Sequence, residues 1–141
     1  MKNLRPILMT AAVLVLASVP TLAGGVKIIA NPSVKADSVS ADEIKSVFLE
    51  ETSSLRDGSH VEPVLVRGGA AHEEFVKVYL GKSESDLQSY YRSMVFTGKG
   101  SMPKTVNSDA DVVAYVAKTK GAIGYVSDST NAEGVKTLAA K

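Results

Sequence analysis

Apolar strand-like runs alternate with amphipathic helical stretches along this 141-residue chain, and the alternation predicts an α/β fold, a mostly parallel sheet flanked by helices. Two observations carry the prediction. Residues 26–30, 61–66 and 122–126 are near-continuously apolar, as strands buried on both faces are. Between them, polar cap residues at Ser40, Ser83 and Ser108 each precede apolar positions spaced three and four apart.

The amino terminus reads as a leader rather than as part of the fold. Lys2 and Arg5 form a basic start, residues 7–19 an apolar core, and Thr21-Leu22-Ala23 a small-residue site of the kind a signal peptidase reads. About 13 apolar residues fall short of the ~20 that span a bilayer. The expectation is therefore cleavage after Ala23, leaving residues 24–141 as one domain with no membrane insertion. Removing Lys2 and Arg5 changes the formal net charge from +1 to −1. That balance argues against nucleic acid as a partner. There is no cysteine, so neither a disulfide nor a lipid-modified cysteine is available. The chain is expected in a bacterial periplasm or secreted.

The first helix opens on a capping box, Ser40-Ala41-Asp42-Glu43, and buries Ile44, Val47 and Phe48 before ending near Glu50 or Glu51. A strand over 61–66 then feeds a helix over 71–80 through Gly68 and Gly69, with Phe75, Val76, Tyr79 and Leu80 inward and His72, Glu73, Glu74 and Lys77 outward. The next helix starts between Ser83 and Asp86 and places Leu87, Tyr90, Tyr91, Met94 and Val95 on one stripe. These aromatics read as core rather than as a cofactor box. Ser108 or Asp109 opens the last helix, whose inward face is Val112, Val113 and Val116. Gly121 is expected to stop it at the position after the cap, following Lys118 and Lys120. Gly124 in the following strand admits either a close backbone or ligand approach or plain packing. A weaker strand is placed at 135–138. Residues 52–59 and 96–107, polar and glycine-rich, read as surface connections.

The segment with chemical interest is Arg67-Gly68-Gly69-Ala70-Ala71-His72. A strand that passes through glycines into a helix leaves amides unpaired at the positive end of the helix, where an oxyanion can be held without side chains. Arg67 would add a planar donor fork and His72 one more donor. The same glycines would also serve a tight turn, and Arg67 would equally pair with a carboxylate.

Taken with Ile44-Lys45-Ser46-Val47-Phe48-Leu49, Arg56-Asp57-Gly58, Val64-Leu65-Val66-Arg67-Gly68-Gly69 and Gly121-Ala122-Ile123-Gly124-Tyr125-Val126, the chain resembles one lobe of a periplasmic substrate-binding protein of the phosphate-importer type. The resemblance runs from Val26 to about Val126. It implies a single lobe of a type II periplasmic-binding-protein-like fold and a small oxyanion such as phosphate as ligand. Arg67 matches the arginine of that family's phosphate turn. The chain then departs from it, with Gly68 in place of an aspartate, Ala70 and Ala71 in place of serine and glycine, and His72 in place of threonine. Two hydroxyl donors and the acceptor for a protonated phosphate are thereby lost. With one lobe only, tight binding would need a homodimer or a partner envelope protein to complete the site.

Other activities find little support in the residues. His60 and His72 lack a metal-pair spacing, and no serine is framed as Gly-x-Ser-x-Gly. Thr97-Gly98-Lys99-Gly100-Ser101 and Gly81-Lys82-Ser83 both miss the phosphate-loop spacing. No catalytic residue, metal ligand or cofactor is expected. Two functions remain: a periplasmic solute-binding module of an ABC phosphate importer type, or an envelope protein-interaction module that keeps the lobe without tight ligand binding.

Overall fold

The computed structural model describes residues 25–140; the leader expected at 1–23 lies outside the described residues. The elements run β1 (Val26–Ala30), β2 (Ser38–Val39), α1 (Ala41–Phe48), β3 (Glu62–Val66), α2 (Ala70–Phe75), a π-helical turn (Val76–Leu80), α3 (Glu84–Phe96), β4 (Lys104–Val106), α4 (Asp109–Lys118), β5 (Ala122–Ser127) and β6 (Lys136–Ala140). The six strands form one sheet in the order β2-β6-β1-β5-β3-β4. β3 is parallel to β4 and β5, and β2 is parallel to β6, whereas β1 is antiparallel to both its neighbours. Five strands thus share a direction and β1 alone opposes them, a mixed sheet that is mostly parallel.

Alternation along β5 sets the two helical layers. Tyr125 points to one face, where its ring stacks on Phe75 of α2 at 3.8 Å and tilts against Phe48 of α1. Gly124 points to the other face, where a Cβ would lie 2.8 Å from Val112 of α4. Of the two readings open for Gly124, packing is therefore the one realised: the glycine lets α4 lie close on the sheet. The core is continuous through Ile28, Ile29, Val47, Phe48, Val64 and Ile123, each no more than 1% exposed.

The caps explain where the helices begin and end. Ser40 and Glu43 complete the capping box reciprocally, and the hydroxyls of Ser83 and Ser108 accept from the amides of Asp86 and Asp111. α1 stops at Phe48, earlier than expected, in a Schellman arrangement: Glu51 N–H donates to Ser46 O and Glu50 N–H to Val47 O. Glu50 occupies the left-handed position at φ 59°, where glycine is the usual residue. The last carbonyls of α1 are taken by α3, since Tyr91 Oη donates to Phe48 O and Tyr90 Oη to Leu49 O. The end of α4 is held by Asn31, whose buried amide donates to Val116 O at 2.8 Å.

Three further expectations need correction, and one strand was not expected. Residues 96–107 are not only a connection, because 104–106 add an edge strand; three residues are too few to show a period in sequence. The short β2 was missed for the same reason. The helix expected at 71–80 begins at Ala70 and loosens into the π-helical turn at Val76. Gly121 stands one residue beyond the position expected of it, since α4 is capped at Thr119. Its φ of 77° and a Cβ position 2.9 Å from His60 O make glycine necessary there all the same.

Candidate functional site

β3 ends at Val66 and the chain turns sharply over Arg67 and the two glycines into α2. Gly68 and Gly69 have φ of 89° and 97°, a region that side-chain-bearing residues avoid. Arg67 N–H donates to Val106 O at 2.7 Å, which ties the turn to the edge strand, and Gly68 N–H closes on Val66 O at 3.0 Å. Gly69 caps α2 without a side chain, so no hydroxyl or carboxylate occupies the helix start. The first amides of α2, on Ala70 and Ala71, accordingly meet no capping side chain. Arg67, Gly68, Gly69 and Ala70 are exposed and Ala71 is buried.

His72 departs from expectation. Its ring is not outward with Glu73 and Glu74 but buried, 3% exposed, because the α2 stripe that meets the sheet is His72, Phe75 and Val76. Nδ1 pairs with the Tyr125 hydroxyl, and Nε2 lies 2.5 Å from Glu84 Oε2. The Tyr125 hydroxyl also accepts from Val66 N–H at 3.2 Å. The donor senses form a consistent relay: Val66 N–H to Tyr125 Oη, Tyr125 O–H to His72 Nδ1, and His72 Nε2–H to Glu84. Burial, the largest influence, pushes the Tyr125 phenol well above its ordinary range, so the hydroxyl keeps its proton. His72 is thus spent on holding α2, β5 and α3 together and is not a free donor.

The turn opens onto a recess of about 350 Å³ at the carboxyl end of β3, lined among others by Arg67, His72, Glu84, Gln88, Met102 and Thr105. Ligand crevices of open α/β sheets lie at such strand ends. Arg67 makes no ion pair with any described residue. Glu84, about half exposed, accepts from Gln88 Nε2 at 3.0 Å as well as pairing with His72. The recess therefore carries the Arg67 guanidinium on one side and the Glu84 carboxylate on the other. Glu84, Gln88, Met102 and Thr105 were not legible as site residues: only the packing of α3 and β4 beside α2 brings them there. The capped start at Ser83 located Glu84 in the first turn of α3 but gave no sign of what it faces. Among the described residues no cluster of potential metal ligands occurs, and no helix is long and apolar enough to cross a membrane.

Comparison with solved structures gives this geometry a context. An ABC-type phosphate transport receptor from Vibrio cholerae superposes at a TM-score of 0.61 with 12% identity, covering 83% of this chain and 46% of that one. A phosphate ABC transporter substrate-binding protein from Clostridium perfringens, with phosphate bound, gives 0.64 at 15% identity over 83% and 45%. PstS from Borrelia burgdorferi gives 0.63 at 11% identity over 84% and 47%. The chain has the fold of one lobe of such binding proteins. It spans less than half the length of each, and identities this low establish the fold alone. No family model and no curated protein matches the sequence.

Proposed function

We propose that this chain is a solute-binding lobe for a small oxyanion, phosphate foremost, held at the turn from Arg67 to Ala71. The observation that carries the reading is an arginine without an ion pair among the described residues, beside a helix start that has no side-chain cap, at the carboxyl end of a parallel strand. Backbone amides of Gly69, Ala70 and Ala71 would supply neutral donors, and the Arg67 guanidinium would supply the charge. The Glu84 carboxylate across the recess disfavours a fully ionised anion and accepts from a protonated one. Hydrogen phosphate is therefore preferred to sulfate. The fold shared with phosphate-transport proteins supports this ligand class and a role in transport rather than catalysis. The proposed setting is the periplasm or the exterior, after loss of residues 1–23, which the intact mass of exported protein would check.

One lobe by itself leaves the recess open to water and supplies only part of a donor set. Micromolar affinity corresponds to about 8 kcal/mol and millimolar to about 4, so losing half of the contacts moves binding into the millimolar range. Calorimetry of purified protein with phosphate and sulfate tests the proposal. Phosphate should bind in the millimolar range, more tightly than sulfate, and Arg67→Ala should abolish the signal while leaving the fold intact. Sub-micromolar binding by a strict monomer would refute the half-site reasoning, and an unchanged titration of the variant would remove Arg67 from the site.

A second reading, an envelope interaction module, is favoured by one feature: Phe96 is 92% exposed. Recovery of a specific partner together with silent phosphate titrations would select it.

A further inference from the structure

Helix α3 leaves an unusual surface uncovered. Leu87, Tyr91 and Met94 turn inward, and the opposite pole of the helix carries Ser85, Ser89 and Phe96, flanked by Arg92 on the side of Glu84 and Gln88. Phe96 is 92% exposed and, with Val95 and Met102, forms an apolar patch that adjoins Arg92. Arg92 makes no ion pair with any described residue. At the other end of the helix a groove of about 460 Å³ opens beside Val76, Gly81, Lys82 and Ser83.

We propose that α3 is the face on which a second copy of this chain docks, the two helices packing antiparallel about a twofold axis between Gln88 and Ser89. The charges select this occupant. In an antiparallel pair related by a twofold axis, each flank of the helix meets the same flank of its mate. Arg92 of one copy then lies opposite Ser85 of the other and next to its half-exposed Glu84, and the symmetry makes the ion pair twice. Ser85 and Ser89 are small enough to let the helices approach closely at the axis. Phe96 then reaches past the start of the mate's helix, where each ring enters the groove beside Gly81, Lys82 and Ser83. The sequence is thus complementary to itself in charge, size and shape along the same stretch.

The extent of the contact places it among the smaller interfaces. Thirteen residues of helix extend about 18 Å between the first and last Cα. Each Phe contributes roughly 150–250 Å² at most. Two such helices fall short of the 1,200–2,000 Å² of stable complexes. The dimer is accordingly of the weak, transient class. This pairing does not rest on the anion reading, and its test uses no ligand.

Sedimentation velocity of the purified protein from about 5 μM to 1 mM should show a reversible monomer–dimer equilibrium in that range. Phe96→Ser and Arg92→Glu should each raise the dissociation constant at least ~10-fold, with circular dichroism unchanged because both side chains are exposed. Because the chain has no cysteine, Ser89→Cys should oxidise to a covalent dimer, whereas Ser59→Cys, also without another thiol in its chain, should not do so at a comparable rate. A protein monomeric at 1 mM would overturn the proposal, as would a dimer indifferent to both surface substitutions or equal cross-linking at positions 59 and 89.

Discussion

Removing a single hydroxyl, in Tyr125→Phe, tests whether the buried relay holds the domain together. The ring would keep its stack on Phe75 at 3.8 Å and 6°, so the apolar packing is conserved and the polar contribution is isolated. Two buried groups lose their partner: Val66 N–H, 3.2 Å from the hydroxyl, and His72 Nδ1. Each orphaned polar group costs about 1–3 kcal/mol, so the variant should lose on the order of 3 kcal/mol. For a domain of this size that corresponds to a fall in Tm of roughly 10 °C. The chain has no tryptophan, so urea unfolding followed by far-ultraviolet circular dichroism is the suitable assay, with an unchanged m-value expected. A loss under about 0.5 kcal/mol would refute the reasoning, because it would mean that both groups find replacement partners at no cost.

Three further substitutions or titrations probe other parts of the account. Glu50→Gly should stabilise the protein by up to ~1 kcal/mol in urea unfolding, since φ of 59° strains any residue with a Cβ; a loss of stability would show that the glutamate side chain contributes more than the strain. Gly124→Ala should cost about 1–3 kcal/mol, because the added methyl meets Val112 at 2.8 Å across the α4 contact; a neutral variant would show that α4 can move away freely. Glu43 is subject first to burial, which raises its pKa, but hydrogen bonds from the amides of Arg56 and Ser40 outweigh it and hold the carboxyl below its ordinary value of 4.5. A lowered folded pKa contributes stability that is present above the ordinary value and lost as pH falls through the folded one. Glu43→Gln should therefore flatten the stability profile below about pH 4.5, and an identical acid limb in both proteins would exclude the capping box as its source.

Local signals in the sequence carried the elements they could reach. Capping residues placed α1, α3 and α4 within a residue or two of their observed starts, because a cap is a contact between residues three apart. Apolar runs placed β1, β3 and β5, since strands buried on both faces need no partner to be recognised. β2 and β4 escaped because two and three residues cannot display a period. His72 misled because polarity alone predicts an outward side chain. Its burial depends on Tyr125, 53 positions away, and on Glu84. The turn from Arg67 to Ala71 was legible from its glycines, whereas the facing wall of the recess, with Glu84 and Gln88 on α3 and Thr105 on β4, was not, being assembled by tertiary packing.

The central claim is that an oxyanion sits on the turn between β3 and α2. Two-dimensional ¹⁵N–¹H spectra recorded during a phosphate titration test it residue by residue. The account predicts saturable, millimolar shifts concentrated on the amides of Gly68, Gly69, Ala70 and Ala71, absent from Arg67→Ala. Shifts of equal size spread over surface lysines, or none at those four amides, would contradict it.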